Sequence, residues 1–531
     1  MSSSLKTDAT LENKASTKNG VKRLIFVVLA MILEFLVNFF LIMYLGAYED
    51  WIMILLHILA AALVLYIYNQ EKTAAVKMPW IILIMAMPIL GLTMYVMIGF
   101  NPGMKAMRKR YKEIDAEIMP LLPDNKEDLD ELCGRDQSAG NIAKYLKNNS
   151  SYPTYKDNDI VYFDDASKAI EAQKEELSKA QEFIFMEYHA IENAESWHAI
   201  EDVLVDRVKA GVEVRVFYDD MGSIGFINTD FVKLLESKGI KCRVFNPFKV
   251  GFNLFLNNRD HRKITVIDGK VGFTGGYNIA NEYFNITHPF GHWKDTGIMI
   301  RGRAVKSLTV TFLEMWNAVN GDDENDTDFS KYLPDVKEDD LEKDTPYEWK
   351  KGYVVPYADI PLDKVQVGED VYISMANYAK EYVWFITPYL ILTDEMTHAL
   401  SLAARRGVDV RIITPGIPDK KIVYSITRSY YHTLVKNGVK IYEYTPGFCH
   451  CKMSITDDAL ATCGTINLDF RSLYHHFENG CLYGYSDAVM DTKNDFIAIM
   501  EKSKEVTKDY MRPTAGKKLG QLLLRLVAPL M

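Results

Sequence analysis

Three long apolar runs open the chain, at Leu24–Leu45, Trp51–Tyr68 and Trp80–Gly99, and behind them the pattern changes to short apolar segments alternating with amphipathic ones. Each run matches the roughly 20 residues that cross a hydrocarbon layer about 30 Å thick, so each predicts a transmembrane helix; the alternative is a buried helix of a soluble core. The first run is too long for a signal-peptide core and no small-residue cleavage site follows it, so it is expected to stay as an anchor. Glu34 within that run should face protein, with His57 of the second run as its partner. Lys6, Lys14, Lys18, Lys22 and Arg23 precede the three runs and Lys105, Arg108, Lys109, Arg110 and Lys112 follow them, so both ends read as cytoplasmic. Three full crossings cannot satisfy both ends, so either one run is re-entrant, with Pro79, Pro88 and Gly91 pointing to the third, or the charge rule fails at one end.

Beyond a basic, then acidic and polar stretch at 101–157, read as a linker with some helical potential, the apolar pattern repeats. Glu182–Tyr188 reads as a buried strand, Val203–Lys209 as a helix, and Gly211–Tyr218 and Gly239–Pro247 as further strands. The same order recurs roughly two hundred residues later at Glu381–Thr387, Gly407–Ile413 and Gly438–Pro446. Strands alternating with helices predict an α/β fold, a mostly parallel sheet flanked by helices in each half. The acidic, poorly apolar stretches around Asp322 and Glu338 place the boundary between the halves. The expected organisation is an N-terminal membrane anchor (1–100), a linker (101–157), a first lobe (158–321), an acidic connector (322–350), a second lobe (351–510) and an amphipathic segment (511–531). That last segment, with Lys517, Lys518 and Arg525 beside a leucine-rich face, is either an interfacial helix or one docked on its own domain.

Composition narrows the reading. A 531-residue chain with 48% hydrophobic residues holds at least two buried cores besides any anchor. Its 61 basic residues against 71 acidic ones, a net charge of −10, argue against nucleic acid as a partner. Six scattered cysteines do not make a disulfide framework, and Cys449 and Cys451 lack the second pair that a zinc knuckle needs.

Within the repeat lies a second, chemical repeat. His261-Arg-Lys263 runs on to Asp268 and then to Gly275-Gly276-Tyr277-Asn278; His450-Cys-Lys452 runs on to Asp457 and then to Gly464-Thr465-Ile466-Asn467. Residues two apart on a strand face one side, so each His and Lys project together and the two pairs can converge on one phosphate. The lysines would offset phosphodiester charge, and Asn278 and Asn467 would donate to its oxygens. One neutral imidazole can attack phosphorus while the other, protonated, hands a proton to the departing alkoxide, and this calls for no metal or other cofactor. Asp295 and Glu478, at similar distances behind the two motifs, are the expected carboxylates that orient the imidazoles. Asp268 and Asp457, grouped with the catalytic motif, read more readily as loop-fixing than as proton-transfer groups. A single such motif would carry little weight, since His, Lys and Asp are common at strand ends; two copies at matching offsets carry much more.

These residues resemble the phospholipase D superfamily, and with the N-terminal apolar runs the chain is similar to the bacterial cardiolipin synthases over nearly its whole length. The likeness extends to Pro88–Tyr95, Tyr218–Ser223, Gly275–Ala280 and Gly464–Ser472. It implies two phospholipase D-like lobes in one pseudo-two-fold unit behind N-terminal transmembrane helices, in a bacterial cell membrane. It implies further a phosphatidyl intermediate on His261, with His450 as general acid and then base. One phosphatidylglycerol would donate the phosphatidyl group, releasing glycerol, and the hydroxyl of a second would accept it to give cardiolipin. Cys449 and Cys451 beside His450 depart from the usual pattern and would make that site sensitive to oxidation. The rival readings are a phospholipase D hydrolase, in which water takes the acceptor's place, a nuclease, and a non-catalytic membrane scaffold.

Overall fold

The structure is a computed structural model that describes most of residues 50–512, apart from 71–72, 97–101, 248–257, 320–325 and 342–344, with a few further positions in 29–40 and 520–525. Its first lobe contributes strands β1 (Tyr155–Phe163), β2 (Phe183–Tyr188), β3 (Glu213–Asp219), β4 (Lys241–Phe245), β5 (Arg259–Asp260), β6 (Lys263–Ile267), β7 (Val271–Gly275), β8 (His292–Lys294) and β9 (Gly297–Arg301). The second contributes β10 (Lys350–Asp359), β11 (Tyr382–Ile386), β12 (Asp409–Pro415), β13 (Lys440–Tyr444), β14 (Gly447–Cys449), β15 (Met453–Thr456), β16 (Leu460–Gly464), β17 (His476–Gly484) and β18 (Ser503–Glu505). One continuous sheet runs β18-β13-β12-β11-β15-β16-β17-β10-β1-β9-β7-β6-β2-β3-β4. The two lobes repeat each other outward from the antiparallel β1–β10 pair at its centre.

The sheet is mixed rather than mostly parallel. Besides the short β5–β17 pair, β2-β3-β4 and β11-β12-β13 run parallel, joined through helices, whereas β6–β7 and β15–β16 are antiparallel hairpins. Their turns are the reason. Asp268 and Gly269 take φ of 51° and 65°, and Asp457 and Asp458 take 50° and 55°. That left-handed pair matches the twist of flanking strands, and Asp and Gly tolerate it. Strand β2 shows the period of two at work: Phe183 and Phe185 enter one core, and Ile184 and Met186 the core on the opposite face. The helix Val305–Val319 is buried on nearly every side and lies under the first lobe, where Phe312 stacks on Phe185 at 4.7 Å.

The described part of the expected linker, 102–157, is packed on the lobes. Its helices Pro102–Ile118, Lys126–Arg135 and Gln137–Ser150 bury Tyr111, Ile118, Leu132, Ile142 and Leu146. Tyr111 donates to Glu314 of the first lobe, while Asp136 accepts from Tyr378 of the second, so the segment clasps both. Its alternating charges and modest apolarity disguised an amphipathic helical layer.

Of the three apolar runs, the first lies outside the described residues except for helical Leu29, Leu36 and Phe40, and Glu34 is outside as well. The second forms the helix Asp50–Tyr68, in which His57 bonds the carbonyl of Met53, one turn back. The third is broken into Ala74–Ala86 and Pro88–Met94 because Pro88 cannot continue the hydrogen-bond ladder. Gly91 sits against Ile84, where an added Cβ would come within 2.5 Å of backbone. Among the described residues no helix is long and apolar enough to cross a membrane. At the far end, Arg525 bonds the Ser429 carbonyl at 2.6 Å, so the described part of that segment docks on its own domain.

Candidate active site

Two short parallel strand pairs stitch one lobe to the other, and they build the site. Strand β5 pairs with β17, setting Asp260 opposite Phe477, and β14 pairs with β8, setting Cys449 opposite Lys294. One residue further in the same registers, His261 N donates to Phe477 O and His450 N to Lys294 O, each at 2.8 Å. The side chains that follow therefore meet across the lobes: His261 Nδ1 lies 2.9 and 3.0 Å from the Glu478 oxygens, and His450 Nδ1 lies 2.7 Å from Asp295. Both expected carboxylates hydrogen-bond an imidazole, but each pairs with the histidine of the other lobe. With Nδ1–H donating to a carboxylate, each ring keeps the lone pair of Nε2 for chemistry.

Behind the first motif a glycine makes room for Asp295. A Cβ on Gly276 would fall 2.0 Å from Asp295 Oδ1. The equivalent residue of the second lobe is Thr465, whose hydroxyl instead donates to Glu478. Lys263 Nζ donates to His261 O at 2.7 Å and Lys452 Nζ to His450 O, so both ammonium groups stay beside the imidazoles. Lys452 Nζ also lies 2.8 Å from His450 Nδ1, which cannot accept while it donates to Asp295.

Charge in this buried centre is poised. Burial, then Lys263, Lys452 and His450, push the His261 imidazole well below its usual range. Burial and Lys452 bring His450 down to about 4 against the pull of Asp295. Burial also lowers Lys263 to about 7 and Lys452 to about 8. Burial works to raise the Asp295 carboxyl, but His450 and Lys452 outweigh it and hold the group below the ordinary carboxylate range. An arriving phosphodiester anion offsets these cationic neighbours, so it favours protonation of His450 and of both lysines.

The remaining motif residues divide. Asp268 accepts from the backbone N–H of Gln181, Glu182 and Phe183, and Asp457 from those of Lys380, Glu381 and Tyr382. Both sit at the hairpin turns and hold the start of β2 and β11, contacts of the loop-fixing kind. Asn278 already donates to Tyr283 and accepts from Ala190 N, which leaves it one amide hydrogen. Asn467 is buried with an amide oxygen that has no hydrogen-bond partner.

Several neighbours carried no signal in the sequence. His189 packs edge-on to His261 at 4.9 Å and donates from Nδ1 to Asp260 O, and His476 lies 5.4 Å from His261 on another side. Arg262, fully buried, bonds Glu478 O and Thr311 O. His450 instead meets Tyr283 and Trp293, each at 5.3 Å, and Phe448. The doubled histidine at 475–476 was the one available clue to His476. His261, His476 and Glu478 are also the group that could hold a metal ion among the described residues.

The family described as "Cardiolipin synthase, PLD-like domain" matches residues 174–316 and 372–500. A cardiolipin synthase of Halalkalibacterium halodurans is 30% identical over 92% of this chain and 94% of its own length. One of Alkalihalophilus pseudofirmus is 33% identical over 85% and 87%. An uncharacterized protein of Streptococcus mutans is 41% identical over 88% of this chain and 99% of its own length. Among solved structures, the phosphatidylserine synthase of Haemophilus influenzae superposes with a TM-score of 0.53 at 15% identity, over 73% of this chain and 97% of its own, a likeness of fold.

Proposed function

The chain belongs to the cardiolipin synthase family with phospholipase D-like domains, and we propose that it makes cardiolipin from two molecules of phosphatidylglycerol through a phosphatidyl-histidine intermediate. It is a phosphatidyltransferase. Nε2 of His261 attacks the phosphorus of the donor lipid and the P–O bond to its terminal glycerol breaks. His450, protonated, gives its proton to that glycerol oxygen. The now neutral His450 takes a proton from the hydroxyl of the second phosphatidylglycerol, whose oxygen attacks the phosphorus and breaks the P–N bond, restoring His261. Lys263, Lys452, Asn278 and Asn467 are assigned to the non-bridging oxygens, and Asp295 and Glu478 to orienting the rings.

The observation that carries this reading is the crossed pairing of His261 with Glu478 and His450 with Asp295, which brings two imidazoles and two lysines from separate lobes to one centre. The division of roles is supported by surroundings. Glu478 and two further imidazoles surround His261, whereas aromatic rings wall His450.

The membrane is part of the proposal. Trp51, Ile54, Leu55, Ile58, Leu59 and Leu65 are exposed on one helix, an apolar surface that fits a bilayer of a bacterial cell membrane and holds both lipids near the site. The 1–100 region acts in this reading as the anchor, and the two lobes as one catalytic unit. The test is to incubate the purified chain with phosphatidylglycerol vesicles and follow lipids by mass: cardiolipin with an equal amount of glycerol is expected. Phosphatidic acid alone would show that water, not lipid, resolves the intermediate.

A further inference from the structure

His476 is a side chain of the centre that the transfer does not use. Both its ring nitrogens are buried without a hydrogen-bond partner, an unfavourable state unless something pairs with them. Its Nδ1 stands 3.6 Å from the Glu478 carboxylate that holds His261 Nδ1 at 2.9 and 3.0 Å. One ligating atom from each of His261, His476 and Glu478 lies within 4.8 Å of the others. Bonds of about 2.0 Å in a tetrahedron set ligand atoms about 3.3 Å apart. The gaps of 2.9 and 3.6 Å from the two imidazoles to Glu478 bracket that spacing, and the imidazoles themselves lie within 4.8 Å of each other. We propose that His261, His476 and Glu478 form a binding site for a divalent transition ion of the zinc class, and that filling it switches the transferase off. The site stands on geometry alone; the switch rests on His261 being the nucleophile.

The donor set selects the ion. Two imidazole nitrogens and one carboxylate suit zinc, while magnesium and calcium take oxygen shells. The consequence for chemistry follows from proton position. In the metal-free centre Nδ1–H of His261 donates to Glu478 and Nε2 keeps its lone pair. An ion bound through Nδ1 displaces that proton, and a neutral ring then carries it on Nε2, so the attacking atom has no lone pair. An ion bound through Nε2 takes the lone pair directly. Either way Glu478 is turned from orienting His261 to holding the ion.

The experiment uses the full chain in phosphatidylglycerol vesicles, stripped with a chelator and titrated with zinc chloride. Bound zinc is read by equilibrium dialysis with elemental analysis, and cardiolipin by mass. One zinc per chain is expected, with turnover lost at the same midpoint, restored by chelator, and untouched by equal magnesium. His476→Gln should weaken zinc binding at least tenfold and move the inhibition midpoint by the same factor. Should that variant fail to fold, cobalt in the unaltered chain decides: a visible absorption band displaced by one equivalent of zinc supports the site. Lack of stoichiometric zinc or of the cobalt band, or unchanged affinity in folded His476→Gln, overturns it. Zinc bound with undiminished cardiolipin formation overturns the switch. Zinc binding by a chain that makes no cardiolipin even when metal-free refutes the proposed function and supports the site.

Discussion

In the proposed transfer Asp295 and Glu478 serve different groups, the acid and the nucleophile, and the leaving group can tell them apart. With phosphatidylglycerol, Asp295→Asn and Glu478→Gln should each lower kcat by about 10²- to 10⁴-fold, because the amide no longer fixes the imidazole tautomer. A phosphatidyl ester of p-nitrophenol leaves without a proton, so Asp295→Asn should release nitrophenol in a near-normal burst while Glu478→Gln stays slow. Equal bursts from both would undo the assignment of roles. Asp268 and Asp457 give the contrasting case. Replacing either by Ala removes the acceptor of three backbone N–H groups; those of Phe183 and Tyr382 are the more buried, where an unmade bond costs about 1–3 kcal/mol, while water takes over the exposed ones. The melting temperature should fall by several degrees while the folded enzyme keeps kcat within a few-fold. The lysines supply a third check: with Lys263 at about 7 and Lys452 at about 8, binding of a lipid phosphodiester at pH 8 should take up protons. Calorimetry in two buffers of different ionisation enthalpy reads that uptake, and Lys263→Met should reduce it. At this scale much was legible. The paired motifs stand at matched spacings and the carboxylates at similar ones, whereas the partner of each carboxylate is set by strand register between lobes, which spacing does not encode.

At the scale of elements, the helices of 102–150 are what the hydropathy pattern concealed. Their apolar residues sit on one face among many charges, and the reading of that stretch as a linker weighed charge over period. Their burial of Tyr111, Ile118, Leu132, Ile142 and Leu146 against both lobes makes a specific demand. A chain beginning at residue 102 should fold and melt cooperatively, while one beginning at 152 should be proteolysed rapidly and expose apolar surface to a hydrophobic dye. Equal protease resistance of the two would show that the layer is dispensable. The hairpins β6–β7 and β15–β16 were hidden for another reason: a strand reads alike whether its neighbour is parallel or antiparallel, and only the left-handed pairs at Asp268-Gly269 and Asp457-Asp458 report the turn.

Over the whole molecule the buried imidazoles set the acid limit. His450 titrates at about 4 folded and His476 at about 3, against about 6.5 for a free imidazole. Between those values the unfolded chain binds protons that the folded one does not, so stability rises with pH through that window and is lost as pH falls from 6.5 towards 4. The urea midpoint should drop over that range, and His450→Gln should flatten part of the slope. An unchanged slope in that variant would place the acid sensitivity elsewhere.

The exchange of partners across β5–β17 and β8–β14 also governs when the chain becomes chemically armed. During synthesis His261 and Lys263 leave the ribosome long before Glu478, which lies close to the end of the second lobe. In the proposed mechanism, until that late strand is laid beside β5 the nucleophile has no group to set its tautomer, so a half-made chain is not yet able to cut lipid. The lobes license each other.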